Sequence, residues 1–178
     1  MLAAALLAAC SAQEKPPAFP YFEEKGGWVR DGADILSSTA EQSLVARLEA
    51  AEANFGPQLA IVTVESLHDY SIEDFSLQYA RAWGLGDGER HDGLLLLVAP
   101  NERRVRIEVG KGIEGTFTDL YCKDVLDTVV LPRFSEGEME GGVVAGADAL
   151  IDHMRKHPTI PANDNMPADA PIKASQAA

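Results

Sequence analysis

Three carboxylates in glycine-containing loops or just after them are the residues of this chain best suited to chemistry: Asp92 before Gly93, Glu114 before Gly115, and Asp119 four residues further on. Hard carboxylate oxygens favour calcium or magnesium over zinc, and the flanking glycines Gly93, Gly110, Gly112 and Gly115 permit the close turns that bring backbone carbonyls toward an ion. What must position them is a hairpin. Leu94-Leu95-Leu96-Leu97-Val98 is a continuous apolar run, the pattern of a central strand covered on both faces. Pro100-Asn101-Glu102-Arg103 makes a turn, and Arg104 to Val109 alternates, with Val105, Ile107 and Val109 on one side. Asp92 precedes the first strand and Gly110 to Asp119 follows its antiparallel partner, so the three carboxylates are expected at one end of the sheet, converging on calcium, with magnesium as the alternative. Each also has a structural reading: Asp92 satisfying donors of a tight turn, Asp119 capping a helix, Glu114 solvated.

Other chemistries find less support. His153 and His157 stand one helical turn apart, but no glutamate completes a zinc-protease motif between them, and near a helix C-terminus they complement its dipole. Glu136, Glu138 and Glu140 lack the spacing and central glycine of an EF-hand. Neither cysteine is followed by the arginine of a Cys-based phosphate loop, and no GxSxG or P-loop occurs. Any phosphatase activity would therefore have to be metal-assisted, with Arg104 or Arg106 as candidates to hold phosphate oxygens.

The elements behind the hairpin can be read from periodicity. Ser38-Thr39-Ala40-Glu41 fits a capping box, and Leu44, Leu48, Ala51 and Phe55 then fall on one helical face until Gly56-Pro57. Leu59 to Val64 reads as a buried strand, and Ser71 opens a second helix with Ile72, Phe75, Tyr79 and Trp83 on one stripe. Strand, helix and strand in this order imply a right-handed parallel crossover. Two more helices are expected, from about Asp119 to Val130 and from about Gly142 to His157. The fold class is α/β: a single domain with a mixed sheet flanked by helices.

With 178 residues and 46% hydrophobic content the chain can bury one core. A net charge of -13 argues against a phosphate-binding groove for nucleic acid, which needs clustered Lys and Arg. Met1 to Ala9 is apolar but too short to span a bilayer, and Leu7-Ala8-Ala9-Cys10 resembles the bacterial lipobox, although no Lys or Arg precedes the run. Residues 1–10 are thus expected to be a lipoprotein signal peptide whose Cys10 carries the lipid, 11–27 a tether, 28–157 the domain and 158–178 a disordered tail. The expected location is the extracytoplasmic face of a bacterial envelope membrane. Cys122 is then a lone thiol, so folding does not depend on a disulfide.

From Trp28 to Ile151 the chain resembles the TPM-domain family. The resemblance rests on Val29-Arg30-Asp31-Gly32-Ala33-Asp34-Ile35-Leu36-Ser37, Gln58 to Val64, Trp83-Gly84-Leu85-Gly86, Asp92 to Val98, Arg104 through Gly115, Asp119, and Pro132-Arg133-Phe134 through Gly146. It implies an α/β sandwich and adds Asp31, which matches the family's acidic position before the first helix, to the candidate metal ligands. The commonest relatives carry a pair of Asp/Asn residues where this chain has His91 and Asp92. Members occur in bacterial envelopes, thylakoid lumens and animal membrane proteins, and some are described as calcium-binding, others as acid phosphatases. The resemblance therefore implies an accessory or interaction domain that binds calcium and works on envelope or membrane-protein partners, with a weak phosphomonoesterase as the alternative.

Overall fold

The computed structural model describes residues 27–160. The first helix, α1, runs from Ser38 to Phe55. Its cap is Ser37, one residue earlier than the capping-box pattern suggests: Ser37 keeps extended dihedrals (φ -72°, ψ 151°) and its hydroxyl accepts from the Ala40 amide at 3.2 Å. Leu44, Leu48, Ala51 and Phe55 are buried as their spacing predicts, and Gly56, at φ 102°, ends the helix in a backbone conformation that side chains disfavour.

Strand β1 (Val29–Asp31) precedes α1 and was not anticipated, because three residues are too few to display a period. Strand β2 (Gln58–Thr63), helix α2 (Ile72–Trp83) and strand β3 (Gly93–Ala99) form the expected crossover, with β2 and β3 parallel. Ser71 caps α2 through the Asp74 amide, and Gly84 closes it in the left-handed region. Strand β4 (Arg104–Val109) returns antiparallel to β3, and the sheet order is β1-β2-β3-β4.

Every residue of β3 is buried, because helices cover both of its faces. Leu59, Ile61, Leu94, Leu96 and Val98 pack with α1 and the C-terminal helices, while Ala60, Val62, Leu95, Leu97 and Ala99 pack with the aromatic stripe of α2. The single helix expected from Asp119 is divided. Helix α3 (Asp119–Val125) leads into a π turn at Leu126–Val130 and then into α4 (Leu131–Ser135). Pro132 has no N–H to donate, and its ring would crowd the carbonyl four residues back, so a widened turn accommodates it. Helix α5 (Met139–Lys156) completes the larger core.

Candidate functional site

The expected meeting of loops at one end of the sheet is present. Gln58 lies opposite Gly93, Leu94 opposite Val109, and the Gly110 amide donates to the Gly93 carbonyl at 2.8 Å. The Gly112 amide bonds the His91 carbonyl at 3.0 Å, so the loops before β3 and after β4 lie against each other. The carboxylates nevertheless do not converge. Asp92 is buried and turned inward: its Oδ1 accepts from the Asp87 amide at 2.9 Å, and its Oδ2 accepts from Arg90 Nε at 2.7 Å and from the Thr159 hydroxyl at 3.4 Å. Glu114 is exposed in the following loop, and Asp119 is exposed in the first turn of α3, where Thr118 rather than Asp119 is the cap. Among the described residues, no group of three or more His, Cys, Asp or Glu side chains is arranged to hold a metal ion. Asp92, Glu114 and Asp119, expected to share an ion, are thus not brought together as one ligand group in this structure. The turn's own donors claim Asp92, and burial makes those bonds costly to give up.

The same loop explains His91. Its backbone is left-handed at φ 51°, a region where Asn, Asp and His are enriched among side-chain-bearing residues. The backbone conformation of the turn thus accounts for a histidine at this position without a ligand role. Asp87 supports the turn as well. Amides of Arg90 and Glu89 bond its carboxylate and hold it below its ordinary pKa, against a small opposing effect of desolvation.

Asp31 sits at the other end of the sheet. Its partner in β2 is Thr63, which in turn lies opposite Val98. The Leu36 amide donates to Asp31 Oδ2 at 2.7 Å and the Thr63 hydroxyl donates to Oδ1, so Asp31 fixes the turn into α1 and is a full sheet length from Asp92. It does not join the other carboxylates.

The remaining candidates also resolve. Arg106 is bound to Glu108 at 2.8 Å and to the Ser76 hydroxyl at 3.1 Å on the α2 face. His153 stacks on Tyr121 with ring centroids 3.9 Å apart and meets the Thr116 carbonyl at 3.0 Å, which makes Nε2 its protonated nitrogen. Cys122 is buried, and burial pushes its thiol up to about 11, which leaves it unreactive. Cys10 lies outside the described residues. No helix among the described residues is long and apolar enough to cross a membrane.

Sequence reasoning missed a cleft at the Asp31 end. It has a volume of ≈ 660 Å³ and lies between the β3–β4 turn and α4, with Val98, Val105, Leu131, Phe134 and Met139 as its apolar lining and Arg103 and Arg104 on its rim. Both arginines are exposed, and neither has an ion-pair partner among the described residues. On its other side Arg104 borders a smaller groove with Glu73 and Glu102. Leu131, part of that lining, is 41% exposed. The signal available in sequence was the pair Arg103-Arg104 in an acidic chain, together with the proline inside Leu131-Pro132-Arg133-Phe134.

Comparison with known proteins agrees with this architecture. The family described as TPM domain matches residues 29–153. The N-terminal domain of a Porphyromonas gingivalis protein (P.gingivalis), solved by solution NMR, is similar at 32% identity with a TM-score of 0.69, covering 75% of this chain and 87% of that one. The N-terminal domain of the Corynebacterium glutamicum protein cg2496 shares the fold at 21% identity and TM-score 0.57, covering 75% and 83%. The BA42 protein of Bizionia argentinensis does so at 19% identity and TM-score 0.62, covering 76% and 94%. No curated protein matches the chain.

Proposed function

Since the chain belongs to the TPM-domain family, we propose that it is an extracytoplasmic interaction domain, held to a bacterial envelope membrane by lipid on Cys10, that serves envelope or membrane-protein maintenance by binding a partner. One observation carries the reading. Two of the four candidate carboxylates, Asp92 and Asp31, are taken up by loop donors, whereas an open cleft with two exposed arginines faces solvent at the Asp31 end. Catalysis needs groups that act on a common substrate atom, and binding needs only a complementary surface.

The calcium expectation enters this reading in reduced form. Of the candidate calcium or magnesium ligands Asp92, Glu114, Asp119 and Asp31, Glu114 and Asp119 are the exposed ones, in the loop after β4 and the first turn of α3. A metal-titrated assay on p-nitrophenyl phosphate tests the reading as a whole. Turnover should stay at the blank with calcium, magnesium and manganese. Metal-dependent hydrolysis that disappears in Asp92→Asn would replace the interaction reading with the phosphomonoesterase.

A further inference from the structure

We propose that the outer edge of β4 takes up the carboxyl-terminal segment of a partner protein as an added antiparallel strand, its terminal carboxylate at Arg103 and Arg104. This deepens the interaction reading and rests on it. The argument starts from register. Gly110 donates to Gly93 across the hairpin, so Gly110, Glu108, Arg106 and Arg104 direct their backbone groups at β3. The backbone N–H and C=O groups of Val105, Ile107 and Val109 therefore point away from the sheet. Among the described residues, no hydrogen-bond partner reaches these three positions on that side.

Edges of this kind are normally blunted by brevity, Pro, Lys or a bulge. The opposite edge follows that rule, since β1 is three residues long. Strand β4 has neither Pro, Lys nor a bulge over six residues of regular register, and the charges it does carry, Arg104, Arg106 and Glu108, leave the outward backbone groups of Val105, Ile107 and Val109 unpaired among the described residues.

The second observation is the cleft, which opens where β4 begins. A strand added antiparallel to β4 ends beside Arg104, so its C-terminus reaches the arginine rim and the side chain next to it reaches Leu131, Phe134 and Met139. Guanidinium groups recognise a carboxylate in bidentate fashion, and backbone pairing supplies affinity while alternate side chains supply selectivity. Charge complementarity chooses the occupant. In a chain of net charge -13, an exposed arginine pair without anionic partners among the described residues favours an anionic terminus.

The first and last described residues lie away from the cleft. Trp28, near the start of the described residues, bonds Glu52 through its indole, and Thr159, near their end, bonds the Phe55 carbonyl and Asp92. The described residues thus begin and end at the Asp92 end, opposite the cleft.

The test is to pan a library of random heptapeptides displayed with free carboxyl termini against the full chain, then to titrate the enriched peptide into 15N-labelled protein. The expected result is saturable binding that shifts and protects the amides of Val105, Ile107 and Val109. Binding should weaken at least tenfold when the peptide is amidated, and again in Arg103→Glu/Arg104→Glu, which keeps the fold because both residues are exposed. Saturable binding that leaves those amides unmoved would overturn the edge proposal while the interaction reading survives. Failure to enrich any peptide overturns the proposal. So does protection of the three amides in the free protein, whether concentration-dependent, from a second copy, or independent of concentration, from this chain's own termini. The interaction reading itself falls only to the phosphatase assay.

Discussion

Arg90 Nε and Asp92 Oδ2 lie 2.7 Å apart, and the acid of this pair is 1% exposed whereas the base is 43% exposed. The pair anchors the surface loop before β3 to the sheet, with the guanidinium covering a carboxylate that water does not reach. Asp92 thereby acts as an internal acceptor for its own turn, and the hydrogen bond to it raises the already high pKa of Arg90.

Asp92→Asn should therefore lower the stability of the metal-free protein by about 1–3 kcal/mol, because the charge is lost and one acceptor becomes a donor facing donors. Melting curves in chelator read this directly. A variant as stable as wild type would show that Asp92 is free to ligate, and the calcium expectation in its original three-carboxylate form would be restored.

Much of this fold could be read before any coordinates. The stripes Leu44, Leu48, Ala51, Phe55 and Ile72, Phe75, Tyr79, Trp83 identify their helices because apolar spacing and burial share one cause, and the apolar run before Ala99 marks the central strand for the same reason. The hairpin correctly brought the Asp92 and Gly110 loops together. It did not reveal the direction of the Asp92 side chain, which depends on three donors: two from its own loop and one from Thr159, far along the chain. The cleft was hidden for a similar reason. Its walls come from the β3–β4 turn and from α4, elements whose juxtaposition no local pattern encodes.

Gly112 tests how closely the two loops at the Asp92 end must approach. A Cβ built there would lie 1.7 Å from the Arg90 carbonyl oxygen, and that oxygen cannot rotate away as a side chain does. Gly112→Ala should cost about 2–3 kcal/mol, the upper part of the range for single substitutions. Gly115 meets nothing within 4 Å, and Gly115→Ala should stay within about 0.5 kcal/mol of wild type. Equal denaturant midpoints for the two variants would mean that the loops are not packed against each other.

The proposed anchoring rests on Cys10. Cys10→Ala is expected to move the protein from the membrane fraction to the soluble fraction with an unchanged melting temperature, because the described core begins well after that residue. Retention of the variant in washed membranes would reject the lipid anchor.

The acid limit of stability should trace in part to His153. Burial lowers its pKa from the ordinary 6.5, the cations His157 and Lys156 push the same way, and the bond to the Thr116 carbonyl opposes them. Its neighbours Phe117 and Tyr121 are aromatic and supply no counter-charge. Below about pH 6.5 the unfolded chain takes up a proton that the folded chain resists, so the unfolded state binds more protons and stability falls as pH falls through the lowered value. Above the ordinary value the imidazole is neutral in both states and the effect vanishes. One such proton can tilt stability by at most about 1.4 kcal/mol per pH unit, and partial exposure reduces that figure. His153→Gln keeps a donor for Thr116 without titrating. Denaturant unfolding at pH 7.5, 6.5 and 5.5 should show a shallower loss for His153→Gln than for wild type, with His68, His91 and His157 common to both. Parallel profiles would show that the stacked imidazole takes its proton as readily in the folded chain as in the unfolded one, and burial in the aromatic cluster would then not govern its charge.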